Sequence, residues 1–330
     1  MKLEFIAIQA LKNPNIEKNG IHISDKETFQ HKLVSELEEL DEKFRNEVAK
    51  EIMYRILPQF PPELSEKDMI SSVIKNITYD LSQVNMNVPP DFTLNKEQDG
   101  IHTGNTNQFR IHYNREMGNY LSTGEKIGIY ENSPVAFIGF QFLERDKKEE
   151  LRIQTIQGEL KTNLSCREEK EEIKNTFRKL SNHYEMNWRA GLAKELKEYG
   201  ESENLRVFGE VPGVFSLFGP NIEPFPRYSM YMIQSYFEAG FSSEQIYTGK
   251  VQKTEQPKLD KIISSVEELS PRGRKKYFAK ATSIYSQYAS VQKDKCYNKH
   301  EISIEQFHKK CLGKFKELSD VERVLGKNNT

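Results

Sequence analysis

One tyrosine and two glutamates have the residue types and the positions that acid–base chemistry needs. Tyr236 stands four residues before Gly240-Phe241, near the end of a predicted helix, and Glu159 and Glu210 each stand at the end of a predicted strand. A phenol can donate a proton as a general acid, and a carboxylate can accept one directly or through a water. These three side chains are therefore the candidate catalytic residues. The structural alternatives are a core tyrosine at a helix end and two exposed strand-end charges.

The elements predicted around these residues alternate between strands and helices. Residues 135–142 are apolar on both faces, which is typical of a central strand in a covered sheet. The other predicted elements are a strand at 127–129 joined to it through the turn 131–134, a charged turn at 144–150, a strand at 151–160, a helix at 168–199 with a break near 185–187 and Gly200 as its left-handed cap, a strand at 205–211, a loop at 212–226 and a helix at 228–239. This order predicts an α/β fold with a mixed sheet.

The order of elements from Lys126 to Tyr247 resembles the core of the acyl-CoA N-acyltransferase superfamily, the N-acetyltransferases. The spacing of Tyr236 from Gly240-Phe241 is similar to the end of that family's fourth helix. The resemblance implies an acyltransferase-like mixed sheet flanked by helices, and direct transfer of an acetyl group from acetyl-CoA to an amine. In such a reaction Tyr236 would protonate the departing CoA thiolate, and a carboxylate would take the proton of the attacking amine.

The resemblance also implies a turn whose backbone donors bind the CoA pyrophosphate at a helix start. The nearest match to the family's turn is the segment Trp188-Arg189-Ala190-Gly191-Leu192-Ala193. We therefore take Arg189, Gly191 and Ala193 as cofactor-binding candidates, together with Gln157 and Gly158 at the end of the preceding strand. Residues 151–158 and 205–209 would be the splayed strands that hold the pantetheine arm.

The match departs from the family pattern in two ways. Trp188 stands where the family has Gln or Arg, and the segment comes thirty residues after Gly158. An inserted helix from Arg167 to Tyr184 would have to lie between the strand and the turn. The alternative role for Gly191 is to allow close packing of its helix against a neighbour.

Helical regions are predicted on both sides of this core. The chain divides into a helical N-terminal region at 1–108, the α/β core at 109–249 and a basic helical segment at 250–330. In the first region, helices at 27–57, with Ser24 and Glu27 as a capping box, and from Ser65 onward are predicted to pair as an antiparallel hairpin, followed by a linker at 85–108. In the last, helices are predicted at 257–269, 272–292 and 303–325, with Ser270-Pro271 as a helix start.

Composition limits the class of protein. The 330 residues carry a net charge of -1, 29% are charged and the mean hydropathy is -0.72, which predicts a soluble, cytoplasmic protein. No apolar run approaches the roughly 18 residues of a membrane span, and no export signal is evident. The cysteines Cys166, Cys296 and Cys311 lack disulfide or zinc spacing, and of the histidines only His102 and His112 form a pair worth naming, so no metal is expected. Hydrolase and NTPase motifs are missing.

Two other functions remain open on the residues alone. The sheet could be a degenerate acetyltransferase-like scaffold without catalysis, whose terminal helices bind a protein partner. Residues 251–330 hold 17 basic against 10 acidic residues, so the cluster Arg272-Gly273-Arg274-Lys275-Lys276-Tyr277 could contact an anionic partner. The cluster lacks a nucleic-acid reading motif, and a nucleic-acid partner is not expected. The partner predicted for the enzyme is an amine acceptor of unknown identity.

Overall fold

The computed structural model describes most of the helical and strand segments of the chain. The residues described are 3–18, 20–40, 57, 60–97, 107–113, 117–120, 126–129, 134–158, 167–211, 227–249, 256–294, 308–309 and 311. The predicted loop at 212–226 and most of the predicted helix at 303–325 lie outside these ranges, as does the second half of the helix predicted at 27–57.

The helices lie mainly before and after the strands. They are α1 (Leu3–Leu11), α2 (Pro14–Lys18), α3 (Lys26–Glu38), α4 (Glu66–Thr78), α5 (Arg167–Tyr184), α6 (Trp188–Ser202), α7 (Arg227–Glu238), α8 (Gln256–Glu267) and α9 (Pro271–Asp294), with short 3-10 turns at Leu81–Gln83 and Ser243–Gln245. No helix within the described ranges is both long enough and apolar enough to cross a membrane.

Within the described residues, the strands form one mixed sheet of six strands and a separate pair. They are β1 (Phe92–Glu97), β2 (Asn107–Tyr113), β3 (Met117–Tyr120), β4 (Lys126–Ile129), β5 (Pro134–Arg145), β6 (Lys148–Gly158), β7 (Arg206–Glu210) and β8 (Ile246–Tyr247). The order in the large sheet is β1-β2-β5-β6-β7-β8, and β3 pairs with β4. The mixed α/β class predicted from the sequence is confirmed at this level.

The chain forms two compact units, residues 1–208 and 209–330. Their boundary lies within β7, so it coincides with neither predicted domain boundary. The predicted boundary at 108/109 falls inside β2 instead, and the boundary at 249/250 follows β8.

The centre of the sheet is the hairpin of β5 and β6. Its turn is Asp146-Lys147, in which both residues have positive φ (52° and 63°), as a two-residue turn between twisted strands requires. The strands therefore continue through the residues 144–150 that the charge pattern assigned to a turn. Gly139 pairs with Thr155 but Phe140 pairs with Ile153, so β6 contains a bulge. Such a bulge bends a strand and increases its twist.

Helices α3 and α4 begin side by side. The backbone N–H and the Oγ of Ser24 both donate to Glu66 Oε1, at 2.6 Å each. The predicted antiparallel hairpin is therefore wrong, because it would bring the end of α3 to the start of α4. The predicted start at Ser65 is confirmed, since its Oγ accepts from Asp68 N at 3.1 Å. The cap of α3 is Asp25 rather than Ser24, because the Asp25 carboxylate accepts from two N–H groups of the first turn.

Helix α4 takes the place of a strand at one edge of β5. The pairing of β2 with β5 ends at Phe140. Beyond it, the Asn76 side chain accepts from Phe142 N at 2.9 Å and donates to Phe142 O at 2.6 Å, and Ser72 Oγ accepts from Glu144 N at 2.9 Å. Two side chains of one helix face thus bond the backbone groups that a neighbouring strand would have used.

Three further expectations fail for identifiable reasons. Strand β1 lies within the predicted linker at 85–108. It was missed because Pro89-Pro90 and the later glycines outweighed its short apolar alternation in the sequence. Strand β4 pairs with β3, not with β5, so the predicted hairpin through 131–134 is wrong. Gly200 lies inside α6, where a Cβ would come within 2.5 Å of Val207, and Asn204 has the positive φ that follows the helix.

Candidate functional site

Tyr236 lies on helix α7 of the second unit, and it is fully buried beside the end of β7. A Cβ on Gly209 would lie 2.6 Å from ring carbons of Tyr236, so the missing side chain of Gly209 makes room for the phenol ring. The ring also packs against Phe241, with centroids 5.2 Å apart. The hydroxyl donates to the backbone carbonyl of Glu210 at 3.1 Å. This is the geometry of a well-packed core tyrosine with a bonded hydroxyl.

Glycine 240 ends helix α7, as its sequence position predicts. It has φ +80°, and Gly240 N and Phe241 N donate to the carbonyls of Phe237 and Tyr236 at 3.2 and 2.9 Å. This pair of bonds is the left-handed helix cap in which glycine avoids a Cβ clash. The spacing Tyr236 to Gly240-Phe241 is thus explained by helix termination, whether or not the tyrosine also reacts.

Glu210, the predicted base, contacts Tyr236 through its backbone carbonyl. It is the last residue of β7, it pairs in parallel with Tyr247 of β8, and its side chain is almost completely buried. The fold therefore brings two predicted catalytic residues, 26 positions apart in the sequence, to one strand end. The third candidate, Glu159, lies outside the described residues.

The predicted cofactor residues at the end of β6 lie in the first unit. Gln157 is exposed and Gly158 is half-buried. A Cβ on Gly158 would lie 2.9 Å from the ring of Phe177, which stacks on Trp188 with centroids 4.8 Å apart. The Arg189 guanidinium lies 4.3 Å from the centroid of the Trp188 ring. Gly158 and Arg189 are therefore separated by two stacked aromatic rings rather than joined in one turn.

Helix α6 has a closed amino terminus. Its first N–H, on Trp188, donates to Ser181 Oγ at 3.2 Å, and the N–H of Arg189 donates to the Asn187 side chain at 3.0 Å. Free N–H groups at a helix start are what bind a pyrophosphate. Here two of the earliest donors already have protein acceptors, and α5 stands before the helix as the spacing predicted.

Close packing accounts for Gly191 and Ala193. A Cβ on Gly191 would lie 2.2 Å from Cγ of Tyr184, so this glycine lets α5 and α6 approach each other. Ala193 is fully buried. Their contacts in the structure are those of a helix interface, and the cofactor role assigned to them stays a prediction.

A buried ionic cluster in β6 and β7 was missed by the sequence analysis. Glu150 and Arg152 are both 1% exposed, and Glu150 Oε2 accepts from Arg152 at 3.0 and 2.8 Å. Arg206 donates to the other oxygen of the same carboxylate. The Arg152 guanidinium also lies 5.3 Å from the centroid of Phe208. The sequence pattern assigned Glu150 to an exposed, charged turn. Charged residues look the same in the sequence whether they are buried or exposed, so the cluster could not be recognised before its burial was known.

A cavity of about 780 Å³ lies between α3 and α4 in the first unit. This volume is within the range of about 300–1,000 Å³ of ligand pockets. Among the described residues that line it, none is a predicted site residue; they are Phe29, Lys32, Ser35, Glu36, Glu66, Lys67, Ile70, Ser71, Ile74, Lys75, Thr78, Tyr79, Asp80, Gln83 and Glu144. Sequence periodicity could not find it, because the space depends on how two helices meet.

The basic cluster of α9 divides between packing and solvent. Arg274 donates to the carbonyl of Glu267 and lies 5.6 Å from the centroid of Phe237, while Tyr277 is buried. Arg272, Lys275 and Lys276 are exposed. The helix start predicted at Ser270-Pro271 is confirmed, because Ser270 Oγ accepts from Gly273 N at 3.2 Å.

Tyr277 belongs to a second polar cluster in this unit. Its hydroxyl lies 2.9 Å from His308 Nδ1 and is also bonded to the Cys311 thiol. Burial raises the pKa of Cys311 to about 12 and lowers the pKa of His308. A thiol that stays protonated is a poor nucleophile, so the cluster has the character of a core contact.

Neither a metal-binding arrangement nor comparison with known proteins assigns a function to the candidate site. In the part of the chain that the structure describes, no group of three or more His, Cys, Asp or Glu side chains is arranged to hold a metal ion. His102 of the histidine pair lies outside that part. Comparison with protein-family models, with curated proteins and with solved structures found no match for this chain.

Proposed function

We propose that this chain is an acetyl-CoA-dependent N-acyltransferase with Tyr236 and Glu210 as its acid and base. The proposal takes β5 to β8, with α5 to α7, as an acyltransferase-like arrangement. The observation that carries it is the hydrogen bond from the Tyr236 hydroxyl to the backbone carbonyl of Glu210, which brings the two residues together at the end of β7. The carboxyl ends of parallel strands are where α/β sheets most often bind ligands.

The reaction is direct transfer between the thioester and an amine. The amine nitrogen attacks the thioester carbonyl carbon, a C–N bond forms, and the C–S bond then breaks. Glu210 takes the proton that the nitrogen loses, directly or through a water, and Tyr236 gives its hydroxyl proton to the departing sulfur. For this step Tyr236 must exchange its bond to the Glu210 carbonyl for one to sulfur.

The first experiment asks whether acetyl-CoA binds. A ligand that binds only the folded protein raises the melting temperature in proportion to the logarithm of its concentration above Kd. We expect a rise with acetyl-CoA and release of free CoA thiol when amines are added. No rise at millimolar acetyl-CoA would exclude the proposal.

The second experiment tests Tyr236 by removing one oxygen. Tyr236→Phe keeps the ring against Gly209 and Phe241 but removes the acid, so we expect turnover to fall about 100-fold or more. Acetyl-CoA binding should change little. Because one hydrogen bond to Glu210 is lost, stability should fall by only about 1 kcal/mol. Tyr231→Phe, on the same helix, is the control and should retain full turnover.

A non-catalytic interaction scaffold is the second candidate function. The closed start of α6 favours it, because Ser181 and Asn187 already occupy donors that a pyrophosphate would need. The bonded hydroxyl of Tyr236 favours it too. For this function, Tyr236→Phe would alter stability alone, and no free CoA thiol would be released from acetyl-CoA when amines are added to the wild-type chain.

A further inference from the structure

The first turn of helix α7 contains a buried hydroxyl with unused bonding capacity. Ser229, the third residue of the helix, is 0% exposed, and its Oγ has no hydrogen-bond partner in the structure as described. Ser235 lies on the same helix and is also buried, but its Oγ donates to the carbonyl of Tyr231 at 2.7 Å. The two serines therefore differ in bonding and not in burial.

The direction of Ser229 follows from helix geometry. Cα–Cβ bonds in a helix tilt toward its amino terminus, so the side chain of Ser229 leans toward the first turn. The first N–H groups of any helix lack carbonyl partners within the helix and carry the positive end of its dipole. No acidic residue stands in the first turn of α7 to neutralise that end. The hydroxyl and the helix dipole thus favour the same kind of ligand, an anion.

We propose that the start of α7 binds a phosphoryl group, with Ser229 Oγ donating one hydrogen bond and the first-turn N–H groups donating others. A phosphoryl oxygen accepts several short bonds at once, which suits donors arranged around a helix start. The site is independent of the transferase proposal. It contrasts with the start of α6, where Ser181 and Asn187 supply the acceptors.

Thermal melting and calorimetric titration with pyrophosphate and with CoA test the site. We expect both to bind the wild-type chain, and Ser229→Ala to weaken binding about 10- to 100-fold, the effect of losing one hydrogen bond to a charged group. Ser235→Ala is the matched control and should bind like the wild type. Without ligand, Ser229→Ala should melt no lower than the wild type, because its hydroxyl has no bond to lose.

The outcomes separate the two sources of the phosphoryl group. If CoA binds more tightly than pyrophosphate and Ser229→Ala weakens both, the site takes the phosphates of CoA; if the two bind equally, it takes a free phosphoryl ion. Binding to the wild type by neither probe, or undiminished binding by Ser229→Ala, would overturn the proposal. So would a clear loss of stability in unliganded Ser229→Ala. If these probes bind but acetyl-CoA with added amines releases no CoA thiol, the transferase is refuted and this site still stands.

Discussion

The two compact units bond their buried polar groups in different ways. In the first unit, Glu150 accepts from Arg152 and Arg206, and Asn76 bonds both backbone groups of Phe142. In the second unit, Tyr236 makes a bond to one carbonyl and Ser229 Oγ makes none among the described residues. Buried atoms without a hydrogen-bond partner in the described part of the chain occur in both units, such as Asn107 Oδ1 in the first and Ser229 Oγ in the second. Ser229 differs because it stands in the first turn of a helix, where the dipole favours an anion, and this makes it the better place to look for a ligand.

The largest effect is expected from breaking the ionic cluster of the first unit. Glu150→Gln leaves Arg152 buried without its carboxylate, and loss of one partner of a buried ion pair costs about 3–5 kcal/mol. Urea denaturation measures the change. The control is Glu149→Gln, which removes a half-exposed partner of Lys75 and should cost less than about 1 kcal/mol. Equal losses in the two variants would mean that the cluster has no special role.

The next effect concerns the edge of β5. Asn76→Ala leaves the N–H and carbonyl of Phe142 buried without their side-chain partner, and each such group costs about 1–3 kcal/mol. The same denaturation experiment applies. Thr78→Ala, an exposed position on the same helix, should change stability by no more than about 0.5 kcal/mol. A loss no greater than that of the control would show that water or a rearranged strand replaces Asn76.

The smallest effect is a pH dependence in the second unit. Burial raises the pKa of the Cys311 thiol to about 12, from an ordinary value of 9.0. Above pH 9 the unfolded chain releases a proton that the folded chain keeps, so this contribution to stability is complete below pH 9 and is lost as pH rises toward 12. Cys311→Ala should therefore show a shallower fall of unfolding free energy above pH 9. If the wild type and Cys311→Ala gave parallel pH profiles, the thiol would be in contact with water in the folded chain, and the contrast between the two units would be weaker.

Local signals in the sequence predicted individual elements well. Ser65 and Ser270-Pro271 mark helix starts because a side-chain oxygen bonds a nearby N–H, a contact within three residues. The break between α5 and α6 was also predicted, and Glu185 there has φ +55°. Apolar residues on both faces correctly indicated that β5 is a central strand. Contacts between residues this close in the sequence leave a local pattern, so they can be predicted from the sequence.

Contacts between distant residues account for most of what the sequence left undecided. Composition could not show that Glu66 bonds Ser24 and so joins the starts of α3 and α4. Nor could it show that Gly209 gives space to Tyr236, since the two residues are 27 positions apart. Of the candidate site, the sequence identified Tyr236 and Glu210 but not their common location. The sequence could not show that Ser229 Oγ lacks a partner, because an unbonded hydroxyl is visible only in three dimensions.

The bonding of Asn76 to β5 has a consequence for association between chains. From Phe142 to Glu144 the edge of the sheet is covered by side chains of α4 rather than by another strand. If α4 detaches locally, that edge presents unpaired N–H and carbonyl groups next to apolar Phe142 and Leu143. An edge of this kind can pair with the same edge of a second molecule. Helix α4 therefore covers a part of β5 that would otherwise be open to pairing with a second chain.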